Sequence, residues 1–191
     1  MLRYKENLPN PIVHFYSLFI LRTQKWWETI LRVVSLVAYG FLVQRVFMRS
    51  FWALNLSKYH AKRIDFFNSC AFPDNWNPYL AFCMEFTGSL ILSIVPRLIN
   101  ESNRLSNYPF YKTVMKSVLA VSLVLVGFNI SGGMYNPVVA TVIVGRCRGH
   151  SYAEHIIIYW FGATSGSLIG SIFYPQIKES ISGSKVVKKD I

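Results

Sequence analysis

The sequence predicts an all-α membrane protein with four membrane crossings and two re-entrant half-helices. Three observations predict it. The 191 residues are 52% hydrophobic and only 15% charged, with a mean hydropathy of +0.32, which suits one multi-span membrane domain better than a soluble core. Apolar runs long enough to cross a bilayer recur along the chain. Two shorter apolar runs each open on an Asn-Pro pair, Asn being a favoured helix N-cap and Pro a favoured first helical residue.

In chain order, residues 1–10 are polar and lack the apolar region of a signal peptide. Residues 11–21, PIVHFYSLFIL, are apolar but too short to span, which predicts a re-entrant or interfacial helix. Residues 30–54 form the first crossing, with Arg45 and Arg49 near one end, where long side chains can snorkel. A polar loop follows over 55–78. The second crossing is 79–99, with Pro96 close to its end, then a short basic loop over 100–112 and a third crossing over 113–128. Residues 129–143, NISGGMYNPVVATVI, read as a glycine-bearing turn and a helix starting at Pro137. At about 10 residues and about 15 Å, that helix covers half of a bilayer core of about 30 Å. Its free N–H groups and partial positive charge then lie at mid-membrane, which requires a protein-buried or watery setting. The fourth crossing is 154–174, stopped by Pro175. Residues 1–175 are thus one membrane domain, and 176–191 a flexible cytosolic tail.

The net charge of +11 is distributed between apolar segments. Basic loops beside anionic lipid account for it, and no nucleic-acid surface is needed. With the termini and the 100–112 loop in the cytosol, 12 Lys and Arg face 7 on the other side, as the positive-inside rule favours. The three cysteines, Cys70, Cys83 and Cys147, contain no CxxC pair, which argues against a zinc ribbon or a thioredoxin-like site. His150 and His155 are five apart, off one helical face, which argues against a metal site. No Ser/His/Asp order and no phosphate loop stands out, so no catalytic residue, cofactor or enzyme activity is expected. Glu85 inside a crossing is functional or hydrogen-bonded by default; the plain alternative is a protonated carboxyl at a helix interface. Gly162, Gly166 and Gly170 form a GxxxGxxxG stripe suited to close helix approach.

The two Asn-Pro boxes, Asn10-Pro11-Ile12 and Asn136-Pro137-Val138, resemble the paired NPA boxes of aquaporins. Three crossings separate them, Glu85 lies in a CMEFTGS context similar to the family's fourth-helix glutamate, and FxxSGGxxNP before the second box resembles its pore loop. The departures from NPA, the basic NLSKYHAKRID segment and the tail resemble the unorthodox superaquaporins. The resemblance covers roughly Pro9 to Tyr174 and implies a partial right-handed aquaporin-like bundle, without the two crossings that precede the first box in that family.

The resemblance implies more. The half-helices meet end to end, Asn10 and Asn136 offer amide donors to a passing molecule, and both positive helix ends repel cations. Val124, Gly133 and Val139 map onto the selectivity filter, with Val139 at the usual arginine position. Glu85 receives backbone N–H groups from the loop around 132–135. Cys147 resembles a superaquaporin cysteine, either bonded to Cys70 in an oxidising lumen or free and used in assembly. Lys188 and Lys189 resemble a dilysine signal for endoplasmic reticulum retrieval; the alternative is a solvated basic tail. The implied function is passive transport of water and small neutral solutes such as glycerol across an intracellular membrane, as a homotetramer or a hetero-assembly with related channels. The rival is a non-conducting membrane protein that assembles with full-length relatives and modulates them.

Overall fold

The computed structural model describes residues 10–186, which exclude Lys188 and Lys189. Its elements are α-helical, and four of them are long and apolar enough to cross a membrane. We label the helices α1 (Pro11–Phe19), α2 (Trp26–Ala53), α3 (Lys58–Ser69), α4 (Pro78–Glu101), α5 (Pro109–Gly127), α6 (Pro137–Ile143) and α7 (residues 152–186). The four spans are α2, α4, α5 and, in α7, Tyr152–Ile181.

Local chemistry explains the starts. Asn10, Asn77 and Asn136 each cap a helix through the side-chain oxygen, and each is followed by proline at the first helical position. Such a cap is worth about 1 kcal/mol, and the proline forfeits only an N–H that would be orphaned anyway. Helix α5 also opens on proline, at Pro109. Helix α2 begins at Trp26, four residues before the expected start, because Glu28 folds back to accept the Lys25 N–H at 3.4 Å. A carboxylate in the first turn also complements the helix dipole.

Three expectations are corrected. The polar loop over 55–78 contains α3. Its sequence, KYHAKRIDFFNS, has no glycine or proline to break a helix, so low apolarity alone does not make it irregular. His60 of α3 is buried against the rings of Phe51 and Trp52 at the end of α2. Pro175 does not stop the last helix, which runs on to Val186. A proline removes one internal donor, and packing against a neighbour carries the helix through; Lys178, beyond the proline, pairs with Glu101 at the end of α4. Helix α6 has seven residues, shorter than the expected 10, because the chain turns at Val144 towards Cys147.

The core is the α4–α7 pair. Gly162, Gly166 and Gly170 lie along that contact: a Cβ at Gly166 would meet the Phe86 carbonyl, and one at Gly170 the Ser93 hydroxyl and Leu90 carbonyl. The stripe lets the two backbones touch. Two π-helical segments interrupt the spans, Val43–Met48 in α2 and Ile156–Gly162 in α7. Helix α1 packs on α2, α6 and α7, and α6 packs on α2, so the half-helices sit inside the bundle.

Candidate pore site

The site is built on the loop that joins α5 to α6. Sequence dictates its shape through left-handed residues: Gly132 and Gly133 at φ +86° and +59°, and Tyr135 at φ +46°. Glycine adopts these angles freely, whereas tyrosine does so only under constraint. The Gly127 carbonyl accepts from the N–H groups of Ile130, Ser131 and Gly132 at 2.9–3.1 Å, closing the first part of the turn.

The remaining polar groups are met by side chains from other helices. Glu85 of α4 is fully buried. Its Oε1 accepts from the Ser131 hydroxyl at 2.7 Å and the Met134 N–H at 2.9 Å, and its Oε2 from the Tyr135 N–H at 2.7 Å. In this arrangement the carboxyl oxygens accept from two backbone N–H groups and one hydroxyl. Ser131 relays the contact by accepting from the Gly133 N–H at 3.2 Å. The Tyr159 hydroxyl of α7 donates to the Ser131 carbonyl at 2.7 Å, and the Trp76 indole to the Ile130 carbonyl at 2.9 Å. The Tyr135 ring lies where a Cβ on Gly88 would be, and its hydroxyl donates to the Leu123 carbonyl at 2.7 Å. Sequence reasoning missed Trp76, Tyr135 and Tyr159; a buried aromatic with a polar tip needs a partner, and that was the available signal.

The two boxes come together. Asn10 Oδ1 accepts from the Ile12 N–H at 3.1 Å, and Asn136 Oδ1 from the Val138 and Val139 N–H groups at 3.0 and 3.4 Å. The Asn10 Nδ2 donates to the Tyr135 carbonyl at 3.4 Å, one residue before the second box. One of its two amide hydrogens is therefore engaged within the protein. Pro11, Ile12, Pro137 and Val138 are all buried. Gly133 rests on the α5 backbone at Val124, whose carbonyl would stand 2.8 Å from an added Cβ. Val139 lies in the first turn of α6. Val124 and Val139 are 40% and 37% exposed, so neither is locked in the core.

Beyond the pore loop, Thr141 of α6 donates to the Pro137 carbonyl at 2.7 Å and accepts from the Trp160 indole at 2.9 Å. Its one hydrogen is thereby used, so the His155 Nε2, 3.1 Å away, must be the donor in that contact. His155 Nδ1 is then the acceptor for His150 Nε2 at 3.3 Å. A separation of five keeps two side chains off one helical face but does not keep their rings apart when one lies outside the helix. His150 instead precedes α7, in the loop, and turns back onto His155. No group of three or more His, Cys, Asp or Glu able to hold a metal occurs among the described residues. Cys70 and Cys147 form a disulfide, leaving Cys83 as a free thiol. The bond joins the end of α3 to the segment after α6, where Ala71 and Arg148 also form an isolated β-bridge.

Against known proteins, the chain is similar to Aquaporin-11 of Milnesium tardigradum, at 25% identity over 176 residues, which is 92% of this chain and 61% of that protein. It is also similar to Aquaporin-11 of Equus caballus, at 25% identity over 130 residues, 68% of this chain and 45% of that protein. The chain thus spans about half to three-fifths of the length of these curated relatives. No protein-family model matches it, and no solved structure does.

Proposed function

We propose that this chain is an aquaporin-type membrane channel that passes water and small neutral solutes such as glycerol. The observation that carries the reading is the meeting of two Asn-capped half-helices, with Asn10 bonded to the carbonyl of Tyr135 beside Asn136. Two helix N-termini directed at one place concentrate partial positive charge of up to about half an elementary unit each. A cation or hydronium ion is repelled there, while a neutral molecule able to accept a hydrogen bond is not. Similarity to two Aquaporin-11 proteins supports the family placement. A filter of Val124, Gly133 and Val139 carries no fixed cation, which favours a wider, less water-selective passage. In this reading the C-terminus is cytosolic, Lys188 and Lys189 return the protein to the endoplasmic reticulum, and the assembly is a homotetramer among membrane lipids.

The partial exposure of Val124 and Val139 favours a second reading. A filter open on one flank needs covering helices, and a chain that borrows them from full-length relatives acts as their modulator. Solute flux into proteoliposomes that contain this chain alone separates the two. Water and glycerol flux above that of empty vesicles is expected of the channel. Flux equal to empty vesicles, from a protein shown to be folded and inserted, overturns it.

A further inference from the structure

The half-helix α6 ends beside a second feature that the transport of neutral solutes does not use. Three arginines from two parts of the chain line a cleft of about 80 Å³: Arg45 from α2, and Arg146 and Arg148 from the segment after α6. Gln44 and Ser69 add neutral hydrogen-bonding groups to its wall. None of the three arginines forms an ion pair among the described residues. Their backbone positions are fixed by the fold. Arg45 stands on the π-helical segment Val43–Met48. Arg146 lies over the Phe41 ring, with its guanidinium carbon 5.9 Å from the centroid. Arg148 is pinned through its backbone, its N–H donating to the Cys70 carbonyl at 3.0 Å and its carbonyl accepting the Phe72 N–H at 2.8 Å. The Cys70–Cys147 disulfide fastens the same junction.

Offsetting the C-terminus of α6 does not explain this cluster. A helix end carries at most about half a negative charge, and three whole positive charges surround it. All three are solvent-exposed, so their mutual repulsion is screened by water and salt, and their guanidinium groups remain available to an incoming anion. Planar guanidinium groups match phosphate oxygens in bidentate fashion. We propose that this cleft is a phosphate-binding site, taking a phosphate group presented either as free inorganic phosphate or as the headgroup of an anionic lipid. The site is independent of whether the chain conducts.

Thermal unfolding of the full chain in neutral detergent tests it, with inorganic phosphate compared against chloride at equal ionic strength. A second arm compares micelles doped with phosphatidic acid against phosphatidylcholine. Ligand at about ten times its dissociation constant raises the midpoint by roughly 3 °C. A rise in the first arm assigns free phosphate; a rise in the second alone assigns a lipid headgroup. The rise should vanish in the double variant Arg45→Gln with Arg146→Gln and persist in Arg104→Gln, at the other end of α4. If the double variant does not fold, Arg146→Lys keeps the charge but loses the fork, and phosphorus NMR titration should show about tenfold weaker binding, the equivalent of one bidentate contact. The proposal is overturned by no rise in either arm, an equal rise with chloride, an undiminished rise in the double variant, or unchanged affinity in Arg146→Lys.

Discussion

Replacing Glu85 by glutamine tests the centre of the pore loop. Glutamine keeps the shape and removes one acceptor oxygen. In one orientation its oxygen retains the Ser131 hydroxyl and the Met134 N–H, but its NH2 faces the Tyr135 N–H now held at 2.7 Å. In the flipped orientation Tyr135 is served and Met134 is not. Either way one buried backbone N–H is orphaned, which costs about 1–3 kcal/mol. At roughly 2–4 °C per kcal/mol for a chain of this size, the unfolding midpoint in detergent should fall by about 2–12 °C. Hydrogen exchange at Met134 and Tyr135 should accelerate together, because both amides depend on one carboxyl group. An unchanged midpoint with unchanged protection of both amides would refute the acceptor role.

The other expectations lie at separate places in the fold. Val139→Arg puts five N–H donors and a fixed charge at the first turn of α6; in proteoliposomes it should lower glycerol flux more than water flux, and an unchanged ratio in a folded protein removes Val139 from the filter. Cys147→Ser opens a disulfide that closes a loop of 77 residues, at a cost of about 2–4 kcal/mol; reductant should lower the wild-type midpoint to that of the variant, and a reductant-insensitive wild type contradicts this. Burial holds the His150 imidazole below the ordinary histidine value of 6.5, so the unfolded chain takes up this proton first. The stability from neutral His150 is therefore full above about pH 6.5 and is lost as pH falls through its lower folded value; His150→Gln should flatten the midpoint over that range, and an identical slope in variant and wild type speaks against it.

The residues that carried most of the prediction were those whose effects are local. Asn10-Pro11 and Asn136-Pro137 read as helix starts and each opens a helix, as Asn77-Pro78 also does. The dipeptide does not distinguish a half-helix from a crossing; the length of the apolar run after it does. What escaped detection depends on partners far along the chain. Nothing near Trp76 or Tyr159 announces that each supplies a donor to a carbonyl in the pore loop, 54 and 28 residues away. Helix α3 was obscured because a polar surface helix lacks the apolar period that marks a buried one. The π-helical segments leave no mark in composition, since they arise where packing forces one extra residue into a turn. His150 and His155 were separated by a rule that holds only within one helix.

The side chains that complete the α5–α6 loop impose an order on biosynthesis. Glu85 and Trp76 are made before residues 128–136, but Tyr159 is made after them. When the loop emerges, the Ser131 carbonyl has no partner until the chain 28 residues further on has emerged as well, a wait of a few seconds at about 5–20 residues per second. An unsatisfied carbonyl is not tolerated in hydrocarbon. The loop and α6 must therefore remain in a hydrated part of the insertion machinery while α7 emerges, and enter the bundle together with it. A ribosome that stalls before Tyr159 would leave a chain with three spans placed and its central loop still facing water.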